Sequence, residues 1–181
     1  SQHIDAACEV FYREGVARAN VEQIASEAGV TRGALYWPFN NKVVIFDAWF
    51  QDTMPRIAAL HGELEGLQAD AFWQGLEQHY VKVMHRLISE ERFRKFNTVM
   101  HLKCEMTESN AQVVALINQY RHTWIQSTEN IVALAVRVEA LSKQTDIMLT
   151  TRLLCSLIVG IMVTFLGEFE ETRDMNRVVS P

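Results

Sequence analysis

A short run of this sequence combines an arginine, a glycine and two adjacent aromatic residues, a set that suits contact with nucleic acid. Arg32 could form a bidentate hydrogen bond with guanine, which discriminates against other bases by about 1–3 kcal/mol. Gly33 would let a helix backbone come close to a groove. Tyr36 and Trp37 are separated by one helical step of about 100°, so they cannot both face one core. An exposed aromatic ring beside an arginine is typical of a nucleic-acid interface.

The residues around this set predict two short helices joined by a tight turn. Asn20 is expected to cap the first helix, and Gln23, three residues later, completes a capping box. Gly29 lies where the turn requires positive φ, which glycine adopts without steric cost. Thr31 is expected to cap the second helix, which covers residues 32–37. This pattern predicts a helix-turn-helix, whose second helix enters the DNA major groove.

A wider pattern surrounds the predicted helix-turn-helix. It consists of Phe11, Gly15, the pair 24–25, the run 28–37, Phe39 and Lys42. This pattern resembles the N-terminal domain of TetR/AcrR-type repressors. A second segment, residues 96–110, is similar to the effector domain of repressors that control multidrug efflux pumps.

The resemblance implies specific DNA contacts. Lys42 adds positive charge at the start of a helix whose free amide groups already favour a phosphate. The sequence departs from the family at Pro38, where most members have histidine. Because proline lacks a backbone donor, it should end the second helix early. By resemblance, the phosphate contacts are Thr31, Tyr36, Trp37 and Lys42, and the residues that approach base edges are Arg32 and Gly33.

Composition favours an all-α fold. The chain has 181 residues, of which 49% are hydrophobic, with only 8 Gly and 3 Pro, as expected of a helical globular protein. The sequence has no sustained alternation of apolar and polar residues and no Asn-Gly or Asp-Gly pair, so no strand or hairpin is predicted. With the resemblance, this predicts an N-terminal three-helix DNA-binding domain at residues 1–42. A larger helical bundle at 43–181 would bind a ligand and form a dimer.

The charge balance does not by itself predict DNA binding. The net charge is −5. DNA-binding proteins normally gain salt-dependent affinity by neutralising phosphates. Two explanations remain open: a few well-placed contacts strengthened by dimerisation, or a basic segment before Ser1, where family members usually carry one. Within residues 1–42, the bases are Arg13, Arg18, Arg32 and Lys42, and the acids are Asp5, Glu9, Glu14, Glu22 and Glu27.

Helical periodicity predicts the remaining elements. A helix at 2–14 is ended by Gly15, and a helix that opens at Asn40 or Asn41 is interrupted by Pro55. The expected apolar face of the second of these helices consists of Val44, Ile45, Ala48 and Trp49. The polar stretch 171–181 has no clear period and is expected to be truncated or partly disordered. Further helical patterns run over 69–88, 91–104, 109–140 and 145–168.

One of these helices carries an uncharged apolar run at residues 153–167. Fifteen residues are short for a membrane span, so we expect a buried helix and no membrane partner. The run is apolar on every face, and one subunit of this size can cover only part of it. A second subunit would cover the rest, which predicts a homodimer with an isologous interface.

Aromatic and methionine residues recur on the helices after residue 69. Core packing accounts for many of them, but they also suit a pocket between helices for a small hydrophobic or cationic ligand. Methionine would let such a wall adapt, and a carboxylate could hold a cation. The predicted ligand-binding residues are Trp73, Phe96, Met100, Glu105 and Trp124.

No residue constellation predicts an enzyme, a metal or a cofactor. His101 and Cys104 have the spacing of a metal pair, but no second pair stands nearby in the sequence. No nucleophile elbow, P-loop or glycine fingerprint is present. Three cysteines without a disulfide framework fit a reducing cytoplasm.

The sequence therefore predicts a cytoplasmic, dimeric transcriptional repressor that binds an inverted-repeat operator in double-stranded DNA and is released by ligand. The alternative is a helical ligand-binding protein whose N-terminal unit serves protein docking.

Overall fold

The computed structural model describes residues 2–31, 33, 41–53, 57–105 and 107–179, and all regular structure in these ranges is helical. The side chains of residues 57–59, 109 and 174–179 lie outside this description. The predicted all-α class is confirmed. The helices are α1 (Gln2–Glu14), α2 (Val21–Glu27), α3 (Lys42–Thr53), α4 (Ile57–Leu64), α5 (Ala69–Ser89), α6 (Glu91–Leu102), α7 (Ala111–Arg137) and α8 (Ile147–Val179), with a short 3₁₀ helix at Glu108–Asn110.

The chain divides into two compact units. Unit 1 contains residues 1–54, 90–118 and 166–181, and unit 2 contains residues 55–89 and 119–165. Unit 1 therefore combines the predicted DNA-binding segment with α6 and with the ends of α7 and α8. The predicted division after residue 42 concerns function, and it stays a prediction.

The core of unit 1 forms where α1, α2, α3 and α6 meet. Helix α1 contributes an almost continuous buried face because apolar residues recur in it at helical spacing. Its side chains pack with those of α3 and α6, and Val113 and Ile117 of α7 close the cluster. This core fixes the helix-turn-helix on the helices that follow it.

The core of unit 2 lies around α4 and α5 and the C-terminal part of α7. Gly75 of α5 allows a close crossing, because a Cβ atom at this position would lie 2.8 Å from Leu64 Cδ2 of α4. The buried members of this core are Leu60, Leu64, Phe72, Ile131, Leu134 and Ala135.

Helix α8 differs from its prediction at its C-terminal end. The expected helix ended at residue 168, but α8 continues to Val179. Its last part is polar, and two of its residues, Glu170 and Arg173, bond to Tyr12 of α1. Because these contacts are polar, apolar periodicity does not reveal that the helix continues.

One face of α8 remains exposed in the single chain. By length and composition alone, the segment Ile147–Arg173, with a mean hydropathy of 2.0, could cross a membrane. Only 17% of an 18-residue window in this segment is buried. The buried face includes Cys155, Met162 and Leu166. The exposed apolar face, spaced four residues apart, consists of Leu149, Leu153, Leu157 and Ile161.

Candidate nucleic-acid interface

The first half of the helix-turn-helix has the predicted geometry. The Asn20 side chain accepts a hydrogen bond from the Gln23 backbone N–H at 2.9 Å, and the Gln23 side chain accepts one from Asn20 N–H at 3.0 Å. Both bonds of the capping box are therefore present. Gly15 and Gly29 have φ of +78° and +66°, so each ends its helix in the left-handed conformation that favours glycine.

The predicted DNA-contacting residues fall partly inside the described ranges. Thr31 is exposed, and it follows the Gly29 turn as predicted. Gly33 is helical and exposed, and a Cβ atom there would meet no atom of the described residues within 4 Å. Arg32, Tyr36 and Trp37 lie outside the described residues, as does Pro38. Their DNA contacts stay predictions.

Lys42 begins α3 and is half-buried, and its ammonium group bonds to three protein acceptors. It donates to Val16 O at 2.9 Å, to Ala17 O at 3.2 Å and to Asn110 Oδ1 at 3.1 Å. Because an ammonium group has three N–H donors, all of them are used. Burial lowers the pKa of Lys42. The predicted phosphate contact is untested, and it would require the ammonium group to leave one of these acceptors.

Asn110 connects Lys42 to the loop between α6 and α7. Its side chain is almost fully buried, and its Nδ2 donates to Glu105 O at 3.1 Å. The same loop accepts a bond from Val16 N–H through Lys103 O at 3.3 Å. The turn after α1, the start of α3 and the loop 103–110 are thus joined by polar contacts in unit 1. Asn110 was not among the predicted site residues, because a lone asparagine carries no local signal.

Tyr12 forms a second polar cluster at the end of α1. Its hydroxyl group donates to the Glu170 carboxylate and accepts from Arg173. Lys103 Nζ donates to Tyr12 O at 2.9 Å and lies 4.2 Å from the ring centroid, in cation–π contact. Lys103 also lies 3.4 Å from Glu170. Burial, together with the Glu170 carboxylate, raises the pKa of Tyr12. The C-terminal part of α8 is therefore bonded to the first helix.

Salt bridges and aromatic rings hold α6 against α1 and α3. Arg92 pairs with Asp52 of α3 and lies 3.4 Å from Asp5 of α1. Lys95 pairs with Glu9 of α1. The aromatic contacts beneath these ion pairs join Trp49 to Phe11 in a stacked arrangement at 5.8 Å, and Trp49 to Phe96 in an edge arrangement at 4.8 Å.

The predicted ligand-binding residues are distributed over both units. Phe96 is fully buried in the aromatic core of unit 1, and Met100 packs against the same core. Glu105 is exposed in the loop after α6. Trp73 and Trp124 belong to unit 2, where Trp73 is 43% exposed and Trp124 is half-buried. A pocket that includes all five stays a prediction, and Phe96 contributes to the core.

Two features bear on chemical reactivity: the buried Cys8 thiol and the side chains that could bind a metal ion. Burial raises the pKa of the Cys8 thiol to about 12, so Cys8 is not a reactive thiolate at neutral pH. Within the described ranges, no group of three or more His, Cys, Asp or Glu side chains is placed to hold a metal ion.

Comparisons with known proteins point to one family. Residues 4–49 match the family model of bacterial regulatory proteins, tetR family. The HTH-type transcriptional regulator TtgR of Pseudomonas putida is 34% identical over 119 residues, which cover 62% of this chain and 54% of TtgR. The HTH-type transcriptional repressor BepR of Brucella suis biovar 1 (strain 1330) is 28% identical over 183 residues, which cover 97% of this chain and 85% of BepR.

A solved structure extends the similarity to the fold. NalD, the secondary repressor of the MexAB-OprM multidrug efflux pump in Pseudomonas aeruginosa, superimposes with a TM-score of 0.78. It is 26% identical, and the match covers 93% of this chain and 84% of NalD. The chain spans about half the length of TtgR and of the similar regulator ArpR. These relatives are regulatory DNA-binding proteins.

Proposed function

We propose that this chain, which belongs to the TetR family of bacterial regulatory proteins, represses transcription as a dimer bound to an inverted-repeat operator. A small hydrophobic or cationic ligand releases it from DNA. The regulated genes encode a multidrug efflux pump, by analogy with NalD, which represses one. The protein acts in the cytoplasm, where the operator is located.

The observation that carries this proposal is the geometry of residues 15–31. The capping box of Asn20 starts α2, Gly29 turns the chain, and Thr31 stands exposed at the start of the next segment. From this turn we expect the segment that follows to form a second helix at the protein surface, as DNA reading requires. On this basis Arg32 and Gly33 approach base edges, while Thr31, Tyr36 and Trp37 contact phosphates.

The dimer brings two such units to one DNA site. Two helix-turn-helix units read successive major grooves only if they stand about one helical turn of DNA apart, or a multiple of it. The exposed apolar face of α8 supports the dimer, because a soluble chain rarely leaves four large apolar side chains in one row uncovered. A ligand that favours a dimer with another spacing would lower DNA affinity by its differential affinity for the two states.

DNA selection tests the operator binding on which the proposed repression depends. The full chain is incubated with random duplexes about 30 base pairs long, which accommodate two half-sites separated by one or two helical turns. We expect enrichment of an inverted repeat. Arg32→Ala should relax selectivity at one position per half-site, at a cost of about 1–3 kcal/mol. The matched control is Arg121→Ala, which removes an exposed arginine from α7. Recovery of no enriched sequence would favour a docking role for the N-terminal unit.

The ligand is tested separately on the selected duplex. Ethidium serves as a cationic aromatic probe and progesterone as a neutral apolar one. Binding is followed by tryptophan fluorescence, because Trp73 and Trp124 are both partly accessible. We expect quenching and release of the duplex at micromolar concentration. If no compound of either class releases the duplex, repression stands and the ligand class is wrong.

A further inference from the structure

We propose that Lys42 and Asn110 form a polar bridge that fixes the position of the helix-turn-helix, so that Lys42 acts in DNA recognition as a positioning residue. The inference rests on the proposed DNA-binding function. It differs from the phosphate contact that the family pattern implies for Lys42, and it adds Asn110, which lies at the end of the segment 96–110 and for which the resemblance implied no role.

The first support is that every donor of Lys42 is occupied within the protein. Val16 O, Ala17 O and Asn110 Oδ1 accept at 2.9, 3.2 and 3.1 Å, which are ordinary hydrogen-bond lengths. The first two acceptors belong to the turn between α1 and α2, and the third precedes α7. A phosphate would have to displace one of them. Because bonds to charged groups are stronger than neutral ones, this exchange has a substantial cost.

The second support is that both the oxygen and the nitrogen of the Asn110 side chain form hydrogen bonds within the protein. It is only 1% exposed. Its carbonyl oxygen accepts from Lys42, and its amide nitrogen donates to Glu105 O at 3.1 Å. A buried amide with both ends bonded holds one orientation, because any rotation leaves a polar atom without a partner. Lys42 is therefore bonded to a rigid acceptor.

The third support is the set of chain segments that the bridge joins. Val16 N–H donates to Lys103 O at 3.3 Å, so the turn that follows α1 is held on the loop 103–110. Gly15 lies against the same loop, since a Cβ atom there would be 3.4 Å from Lys103 O. Lys42 is the first residue of α3 and closes the segment that carries the DNA-reading residues. The two ends of the helix-turn-helix are thus fixed at one place.

This arrangement gives the bridge a specific effect on DNA recognition. The angle of each reading helix determines the half-site spacing that a dimer accepts. Loss of the bridge should let each unit adopt more angles, so the dimer should tolerate spacings that the parent rejects. Loss of a simple phosphate contact would instead weaken binding to all spacings equally and reduce the salt dependence of binding.

The test compares Lys42→Met, Asn110→Leu and the double variant on three duplexes. These are the selected inverted repeat and two versions in which the spacer is one base pair shorter or longer. We expect each single variant to reduce the preference for the selected spacing by about tenfold, the effect of losing a hydrogen bond to a charged group. The double variant should lose less than the sum of the two single variants, because the bond between Lys42 and Asn110 is broken in all three. The slope of log affinity against log salt should remain that of the parent.

Matched controls remove the same groups elsewhere. Lys82→Met on α5 and Asn130→Leu on α7 change exposed side chains and should keep the parent's spacing preference. Thermal unfolding of each variant shows whether less of the protein is folded. A loss of folded protein lowers binding to all three duplexes in the same proportion, so it does not change the spacing preference. Three results would overturn the bridge: an unchanged spacing preference, additive losses in the double variant, or a slope that falls by about 0.9 for Lys42→Met alone. If the parent selects no duplex, the proposed DNA-binding function is wrong, and the role of the bridge in DNA recognition is wrong with it.

Discussion

The dimer predicted through α8 can be tested by one substitution, Leu157→Arg. Leu157 lies in the middle of the exposed apolar face and is 60% exposed in the single chain. Complete burial of a leucine contributes about 1.5–3 kcal/mol, so burial of this exposed part contributes about 1–2 kcal/mol. A two-fold interface contains the residue twice, which doubles the loss.

The arginine adds a further cost, because two unpaired charges must be desolvated or pushed out of the interface. The total is at least about 5 kcal/mol, or more than three orders of magnitude in the dimer dissociation constant. Sedimentation velocity at micromolar concentration should show a dimer for the parent and a monomer for Leu157→Arg, with operator binding lost. Gln78→Arg, an exposed position on α5, is the charge-matched control and should remain dimeric. A dimer that survives Leu157→Arg with unchanged affinity would place the interface elsewhere.

Three further predictions concern stability. Asn20→Ala removes the side-chain acceptor of the capping box and leaves the backbone N–H of residue 20 able to bond to Gln23 Oε1. It should lower stability by about 1 kcal/mol in thermal or urea unfolding, whereas Asn130→Ala in mid-helix should not. Gly75→Ala places a methyl group 2.8 Å from Leu64 Cδ2 and should destabilise unit 2 by about 1–3 kcal/mol. Leu64→Ala should relieve this clash. Additive losses of stability in the double variant would contradict a close crossing of α4 and α5 at Gly75. The folded state raises the pKa of Tyr12, so its contribution is complete below the unfolded value of about 10 and is lost as pH rises. Tyr12→Phe should therefore lose less stability than the parent between neutral pH and pH about 11, and equal losses would show that other groups titrate there.

Local signals in the sequence were sufficient to predict the geometry of the turn. Asn20 and Gln23 form the predicted box, and Gly15 and Gly29 adopt positive φ, because these features depend on residues within four positions of each other. The resemblance to TetR/AcrR-type repressors is confirmed by the family model and by the relatives. A fold dominated by helices with clear breaks is well determined by such local signals.

The face of α3 was only partly predicted. Val44, Ile45, Ala48 and Trp49 were expected to face inward, but Val44 is 39% exposed, while the neighbouring Phe46 is fully buried. Residues 43–46 are all apolar, so periodicity alone gives no unique face. The aromatic contact between Phe46 and Phe11, at 5.7 Å, decides the orientation.

Long-range polar contacts were not predictable from one sequence. Asn110 and Lys42 are 68 positions apart, and Tyr12 and Glu170 are 158 apart. Nothing local in the sequence indicates that these residues pair with each other. The helical end of α8 was missed for the same reason, because its partners on α1 are polar and distant in sequence.

If the proposed dimer forms through α8, its exposed apolar face has a genetic consequence. This face lies in a segment separate from the predicted DNA-reading residues, so a mutant that cannot read DNA would still present the same four side chains. In a cell that makes both proteins, such a mutant would pair with normal subunits and yield mixed dimers with one reading unit. If the two chains are made equally and pair at random, about half of all dimers are mixed and only about a quarter are fully normal. Alleles with a damaged helix-turn-helix should therefore be dominant over the normal gene, whereas alleles with a damaged α8 should be recessive.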